Sequence, residues 1–216
     1  MLNTFTYQKD PSLPARKIVF LLHGLGSNGQ DLLGLAPEFA KELPGDVMFV
    51  SPDAPDICDM APPGYAGSYQ WFSLQNRDPQ VIRQNVTEAA PELSKYIALM
   101  LKHYGLSYAD VVLVGFSQGT MMSLSTGPSL PESIAGILGY SGALAIEPIE
   151  TSHKMPIQLV HGSSDDVVPS SASESALEVF LSLGYDIKLE LRPGLAHGID
   201  PKGQEIGKDF LKSVLI

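Results

Sequence analysis

A serine stands between two glycines in Gly115-Phe116-Ser117-Gln118-Gly119. Further along come two adjacent aspartates, Asp165 and Asp166 in LVHGSSDDVVP, and a histidine, His197 in LRPGLAHGID. A hydroxyl is a weak nucleophile unless a base takes its proton and an acid orients that base. Serine, histidine and aspartate are the residue types that fill those three roles. The glycine spacing has its own reason. A serine at a tight strand-to-helix turn is held in a strained conformation that projects its Oγ, and small residues on either side let strand and helix approach. The helix N-terminus behind it adds partial positive charge where an oxyanion would form. Alone the pattern is weak, because 20 glycines in 216 residues make accidental matches common.

The elements that must position these residues alternate along the chain, which predicts an α/β fold with a mostly parallel sheet. Lys17–Leu22, Val47–Val50, Val111–Val114, Ile134–Tyr140, Ile157–Val160 and Ile187–Leu191 read as strands. Asp31–Leu43, Pro79–His103 (to be kinked or divided at Pro91), Gln118–Ser125, Ser171–Leu183 and Gln204–Leu215 read as helices. Ser117, the aspartate pair and His197 each follow a strand. Ligands in such folds bind at the carboxyl ends of the strands, so all three loops should open on one edge. Between Asp53 and Asp78 lies a connection too long to be routine and too apolar to be disordered, with Ile57, Met60, Tyr65, Tyr69, Trp71 and Phe72.

The first strand runs into LLHGLGSNGQD, whose Gly24, Gly26 and Gly29 allow an unusual backbone path. A phosphate-binding loop would need Lys-Ser/Thr or the full dinucleotide spacing, and neither is present. A loop that aims an N–H at an oxyanion fits better. Composition narrows the field further. The formal charge of -10, with no basic stripe, argues against nucleic acid. No apolar run suits a membrane span, and the N-terminus lacks a secretory pattern. Cys58 is the one cysteine, so no internal disulfide is possible and a cytoplasmic location is expected. The five histidines show no metal-ligand spacing. One domain spanning 1–216 is the simplest division.

Taken together, HGLGSNGQDLLGLAP, QWFSLQ, GFSQGTMM, HGSSDDVVP and GLAHGID, spread from residue 23 to 200, resemble the phospholipase/carboxylesterase family of α/β-hydrolases. That family includes the acyl-protein thioesterases and small bacterial carboxylesterases. The resemblance implies an α/β-hydrolase fold without a separate lid domain, and the chain order Ser, Asp, His agrees with it. It implies Ser117 as nucleophile, Asp165 as acid, His197 as base, and the N–H groups of Leu25 and Gln118 as oxyanion hole. The activity implied is two-step hydrolysis of small-molecule esters of short to medium acyl chain, extending to thioesters or lysophospholipids, with no metal or organic cofactor. Thr120 and Ser73 depart from the thioesterase branch, where glycine and aspartate are common.

Several roles stay open at this level. Trp71 and Phe72 either anchor the long loop or line an acyl groove, which the resemblance supports. Met60 and His23 join them as substrate-binding candidates, His23 with the alternative of supporting its loop. A catalytically silent binding protein and a serine peptidase on the same fold are the competing functions. The oligomeric state, a homodimer included, is not legible.

Overall fold

The computed structural model describes residues 2–62, 64–149 and 153–216. The aliphatic runs form the expected strands, and most continue further toward their C-terminal ends. In chain order the strands are β1 (Thr4–Gln8), β2 (Lys17–Leu22), β3 (Val47–Pro52), β4 (Asp56–Ile57), β5 (Tyr69–Gln70), β6 (Val111–Phe116), β7 (Gly136–Tyr140), β8 (Ile157–Gly162) and β9 (Ile187–Arg192). The helices are α1 (Gly29–Leu33), α2 (Ala36–Phe39), α3 (Pro79–Tyr104), α4 (Gln118–Thr126), α5 (Ser171–Ser182) and α6 (Pro201–Leu215). Backbone pairing carries β6 and β8 past the last aliphatic residue, into Gly115-Phe116 and His161-Gly162.

Seven strands make one sheet in the order β1-β3-β2-β6-β7-β8-β9. All neighbours are parallel except β1, which runs antiparallel along β3. Period-2 alternation divides the apolar side chains between two faces. Ile18, Phe20, Leu22, Val111, Leu113, Ile137, Ile157 and Leu159 pack with α3, α4 and α5. Val19, Leu21, Phe49, Val112, Val114, Leu138 and Val160 pack with α1, α2 and α6. Each of these large side chains, once buried, stabilises the fold by about 1.5–3 kcal/mol. The expected architecture, a mostly parallel sheet covered on both faces, is the one observed, and the described residues form no separate lid domain.

Some local expectations are corrected. The helix expected over Asp31–Leu43 is broken into α1, α2 and a 3-10 turn at Ala40–Glu42. Pro37 explains the break, since it has no N–H to carry the ladder across Gly34. Pro91 does not divide α3. It lies on the solvent side, where water can satisfy the exposed Thr87 carbonyl that its missing N–H leaves unbonded. The last helix starts at Pro201 because Asp200 caps it, accepting the Gly203 N–H at 2.7 Å, with proline in the first turn. β1 and the β4–β5 ribbon are additions that the sequence reading leaves unassigned. No helix among the described residues is long and apolar enough to cross a membrane.

Candidate active site

The parallel strands deliver Leu25, Ser117, Asp165 and His197 to one edge of the sheet, after β2, β6, β8 and β9. Ser117 joins β6 to α4 with φ 53 and ψ -114, a left-handed conformation that side chains rarely adopt. Close approach forces this turn. A methyl group on Gly119 would fall on the Leu22 carbonyl, and one on Gly115 on the backbone of Gly119. The Ser117 N–H donates to Tyr140 O at 2.8 Å, and Thr120 Oγ1 donates to the same carbonyl at 2.8 Å. Thr120 thereby ties α4 to β7, and Gly139 and Gly142 leave the room its methyl group needs.

Ser117 is the N-cap residue of α4, yet its side chain makes no capping bond. Serine is favoured at that position because its oxygen usually satisfies a first-turn N–H. Here the hydroxyl is left uncommitted among the described residues. The Phe116 ring packs on His197 with centroids 4.9 Å apart, which brings the imidazole to the same turn.

Asp165 Oδ2 lies 2.7 Å from His197 Nδ1, while Oδ1 accepts the N–H groups of Val167 and Val168, both at 2.9 Å. Burial alone would raise the Asp165 pKa, but the His197 bond and the two N–H bonds outweigh it and hold the carboxyl below its usual range. Asp166 is exposed. The two loops are locked together. Ser163 N donates to Arg192 O at 2.9 Å, Ser164 N to Leu195 O at 2.9 Å, and Gly194 N to Ser163 Oγ at 2.9 Å. Gly162 lets them touch, since a Cβ there would strike the Leu195 and Ala196 carbonyls.

The loop after β2 runs beside the Ser117 turn, with a Cβ built on Gly24 only 3.4 Å from Ser117 Cβ. His23 holds that loop. Its Nε2 accepts the Ala54 N–H at 2.9 Å, so its Nδ1 carries the hydrogen given to Gly24 O at 2.7 Å. Burial lowers the pKa of this ring. Both nitrogens of His23 are thus spent on the chain itself, which is the loop-supporting arrangement. Among the described residues the N–H groups of Leu25 and Gln118 donate to no backbone or side-chain acceptor.

The long loop lies on this assembly. Trp71 and Phe72 are buried in the core with α3 and α4, and the indole N–H donates to His23 O at 2.9 Å. Met60 stays half exposed, beside exposed Ile57 and Tyr65. One participant has no signal in the sequence reading. The Gln118 side chain accepts the Trp71 N–H at 2.9 Å and donates to Phe72 O at 2.7 Å, clamping the loop to the head of α4. His161 is buried beside Asp165. No group of three or more His, Cys, Asp or Glu able to hold a metal occurs among the described residues.

A mostly parallel sheet, with a serine turn after its central strand and an Asp–His pair on the loops beside it, defines the α/β-hydrolase class. Within that class the chain belongs to the phospholipase/carboxylesterase family, which it matches over residues 7–215. It is similar to Esterase YpfH of Escherichia coli, at 28% identity over 94% of this chain and 85% of that one. It is also similar to acyl-protein thioesterase 1 of Gibberella zeae, at 29% identity over 91% and 90%. The crystal structure of esterase PE8 superposes with a TM-score of 0.90 at 36% identity, covering 99% of both chains. The protein is a carboxylic ester hydrolase.

Proposed function

We propose that the protein is a serine carboxylesterase, a single domain in which Ser117 is the nucleophile, His197 the base, Asp165 the acid, and the Leu25 and Gln118 N–H groups the oxyanion hole. The observation that carries this reading is the uncommitted hydroxyl of Ser117. It sits at a strained helix head, where an ordinary serine would cap, and the neighbouring ring of His197 is held through Nδ1 by a buried carboxylate. Asp165 fixes the Nδ1–H tautomer, which leaves Nε2 to take the hydroxyl proton as Oγ attacks the acyl carbon. The tetrahedral oxyanion is met by the two N–H groups, and the proton passes from His197 to the departing alcohol or thiol. Water then attacks the acyl-enzyme with the same base.

The substrates we assign are esters of short to medium acyl chain, with thioesters and lysophospholipids in the same chemical range, and the setting is cytoplasmic. Trp71 and Phe72 bury their rings, so the exposed apolar side chains Ile57, Met60 and Tyr65 are the part of the loop offered to an acyl chain. A series of p-nitrophenyl esters and acyl-CoA thioesters of graded length, run on wild type and Ser117→Ala, tests both parts. Hydrolysis falling to background in Ser117→Ala, with unchanged circular dichroism, is the expected result. Retention of more than about a tenth of kcat would remove Ser117 from the role.

A further inference from the structure

His161 ends up fully buried at the C-terminal end of β8, one of two histidines touching the same carboxylate oxygen. Its Nε2 is 2.9 Å from Val168 O, with Asp165 Oδ2 at 3.2 Å to the side. A carbonyl oxygen only accepts, and so does an ionised carboxylate, so Nε2 must carry a hydrogen. On the other side of the ring, Nδ1 is 2.7 Å from Ser173 Oγ, which is 3.2 Å from Gly142 O. The Ser173 hydroxyl can turn its hydrogen to Nδ1 when the ring is neutral. It can turn to Gly142 O, and accept from Nδ1, when the ring is charged. In both states the Nε2 hydrogen stays in place.

We propose that His161 is a positioning residue for hydrolysis: its Nε2–H braces the 165–168 turn and shares Asp165 Oδ2 with His197, setting how strongly the acid holds the base. The inference rests on the roles given above to Asp165 and His197. Among the described residues His161 and His197 are the ionisable side chains in contact with Asp165, with the Val167 and Val168 N–H groups completing its shell. Nε2 lies 3.2 Å from Oδ2 while its hydrogen bond goes to Val168 O, and the positive end of the Nε2–H dipole offsets part of the negative charge that stabilises the His197 imidazolium. Its removal strengthens that stabilisation, so the base keeps its proton to higher pH and is less available at a given pH. It also loosens the turn that aims Asp165.

The tests are the imidazole tautomer of wild-type protein, read by NMR with 15N-labelled histidine, and the pH profile of kcat/KM for a p-nitrophenyl ester. His161 should show a protonated Nε2 across the range in which kcat/KM rises. His161→Met keeps bulk without a donor, and should lower kcat/KM about tenfold at the acid end, the scale of one hydrogen bond to a charged group. Its acid limb should move to higher pH. His161→Gln places an amide N–H near the lost one and should restore the limb. A wild-type ring protonated on Nδ1 alone overturns the proposal, as does a folded His161→Met enzyme with an unmoved limb. A glutamine variant no better than methionine does the same. If His161→Met fails to fold, the tautomer and the glutamine profile decide. Asp165→Asn, run alongside, separates the failures: its retaining activity would remove the triad reading itself, whereas its inactivity beside an unmoved His161→Met limb removes this inference alone.

Discussion

Asp165 and Asp166 are adjacent and chemically identical, and the fold treats them in opposite ways. One side chain is buried and accepts three hydrogen bonds with the His161 ring against it, and the other is in solvent. Asp165→Asn should lower kcat by roughly 10³- to 10⁴-fold, because an amide can present its NH2 to Nδ1 and favour the wrong tautomer. Asp166→Asn should stay within about tenfold of wild type. Steady-state kinetics at one pH, with circular dichroism as the folding check, distinguishes them, and a reversed order would move the acid by one position. The two aspartates also differ in linkage. The Asp165 carboxyl is held below its usual range, so it binds its proton less readily folded than unfolded. Its contribution to stability is complete above the usual carboxylate range and is lost as pH falls through the folded value. Asp165→Asn should flatten that part of the urea-midpoint profile, and Asp166→Asn should not. Residue types and spacing bring Ser117, the Asp165–Asp166 pair and His197 forward in the sequence, and the family resemblance singles out Asp165. The side-chain contacts of Gln118 and His161 are not legible there, because their partners Trp71, Phe72 and Ser173 are brought to them only by tertiary packing.

Strand ends and the loops after them decide the site geometry at the next scale. The helix that begins at Gln118 can sit against β2 only while residue 119 lacks a side chain. Gly119→Ala should therefore shift the Ser117 turn and remove most ester hydrolysis, with a stability loss of roughly 1–3 kcal/mol from overpacking. Urea denaturation and initial rates would show both, and an active, fully stable variant would contradict the close approach. Trp71 belongs to the core as much as to the loop. Trp71→Ala should cost about 3–5 kcal/mol through the cavity it leaves. Trp71→Phe, which keeps most of the ring but loses the bond to His23 O, should cost nearer ~1 kcal/mol. A Trp71→Ala protein of unchanged melting temperature and altered acyl-length preference would instead make this residue a groove wall. The main strands were readable because each is a continuous aliphatic run. The helix breaks were misread because periodicity carries no information on which carbonyl a proline leaves unbonded, or on whether water reaches it. β1 escaped notice because an edge strand that is only partly buried shows little apolar pattern.

Seen as a whole, the molecule carries 24 acidic against 14 basic residues, and several carboxylates are held below their usual pKa. Glu38, bonded by Lys208 and Lys41 across α2 and α6, is lowered to about 2. Such groups stabilise the folded state above the usual carboxylate range and lose that effect as pH drops through their folded values. The urea midpoint should thus fall steadily from about pH 5 toward pH 2, and less steeply in high salt, which screens the partly exposed lysine and arginine pairs. A midpoint independent of pH over that range would contradict the charge arrangement. The mostly parallel sheet was legible from the alternation of strand and helix patterns, and its strand order in the structure assembles the distant segments 23–26, 117–118, 165 and 197 on one edge. The central claim is that the hydroxyl left uncommitted at the head of α4 is the group that attacks the acyl carbon. Incubation with a fluorophosphonate, followed by intact-mass measurement and peptide mapping, tests it most directly. A single adduct per chain, on Ser117, with loss of ester hydrolysis in step with labelling and no adduct on Ser117→Ala, is the predicted result. An adduct on another serine, or hydrolysis that survives full labelling of Ser117, would contradict it.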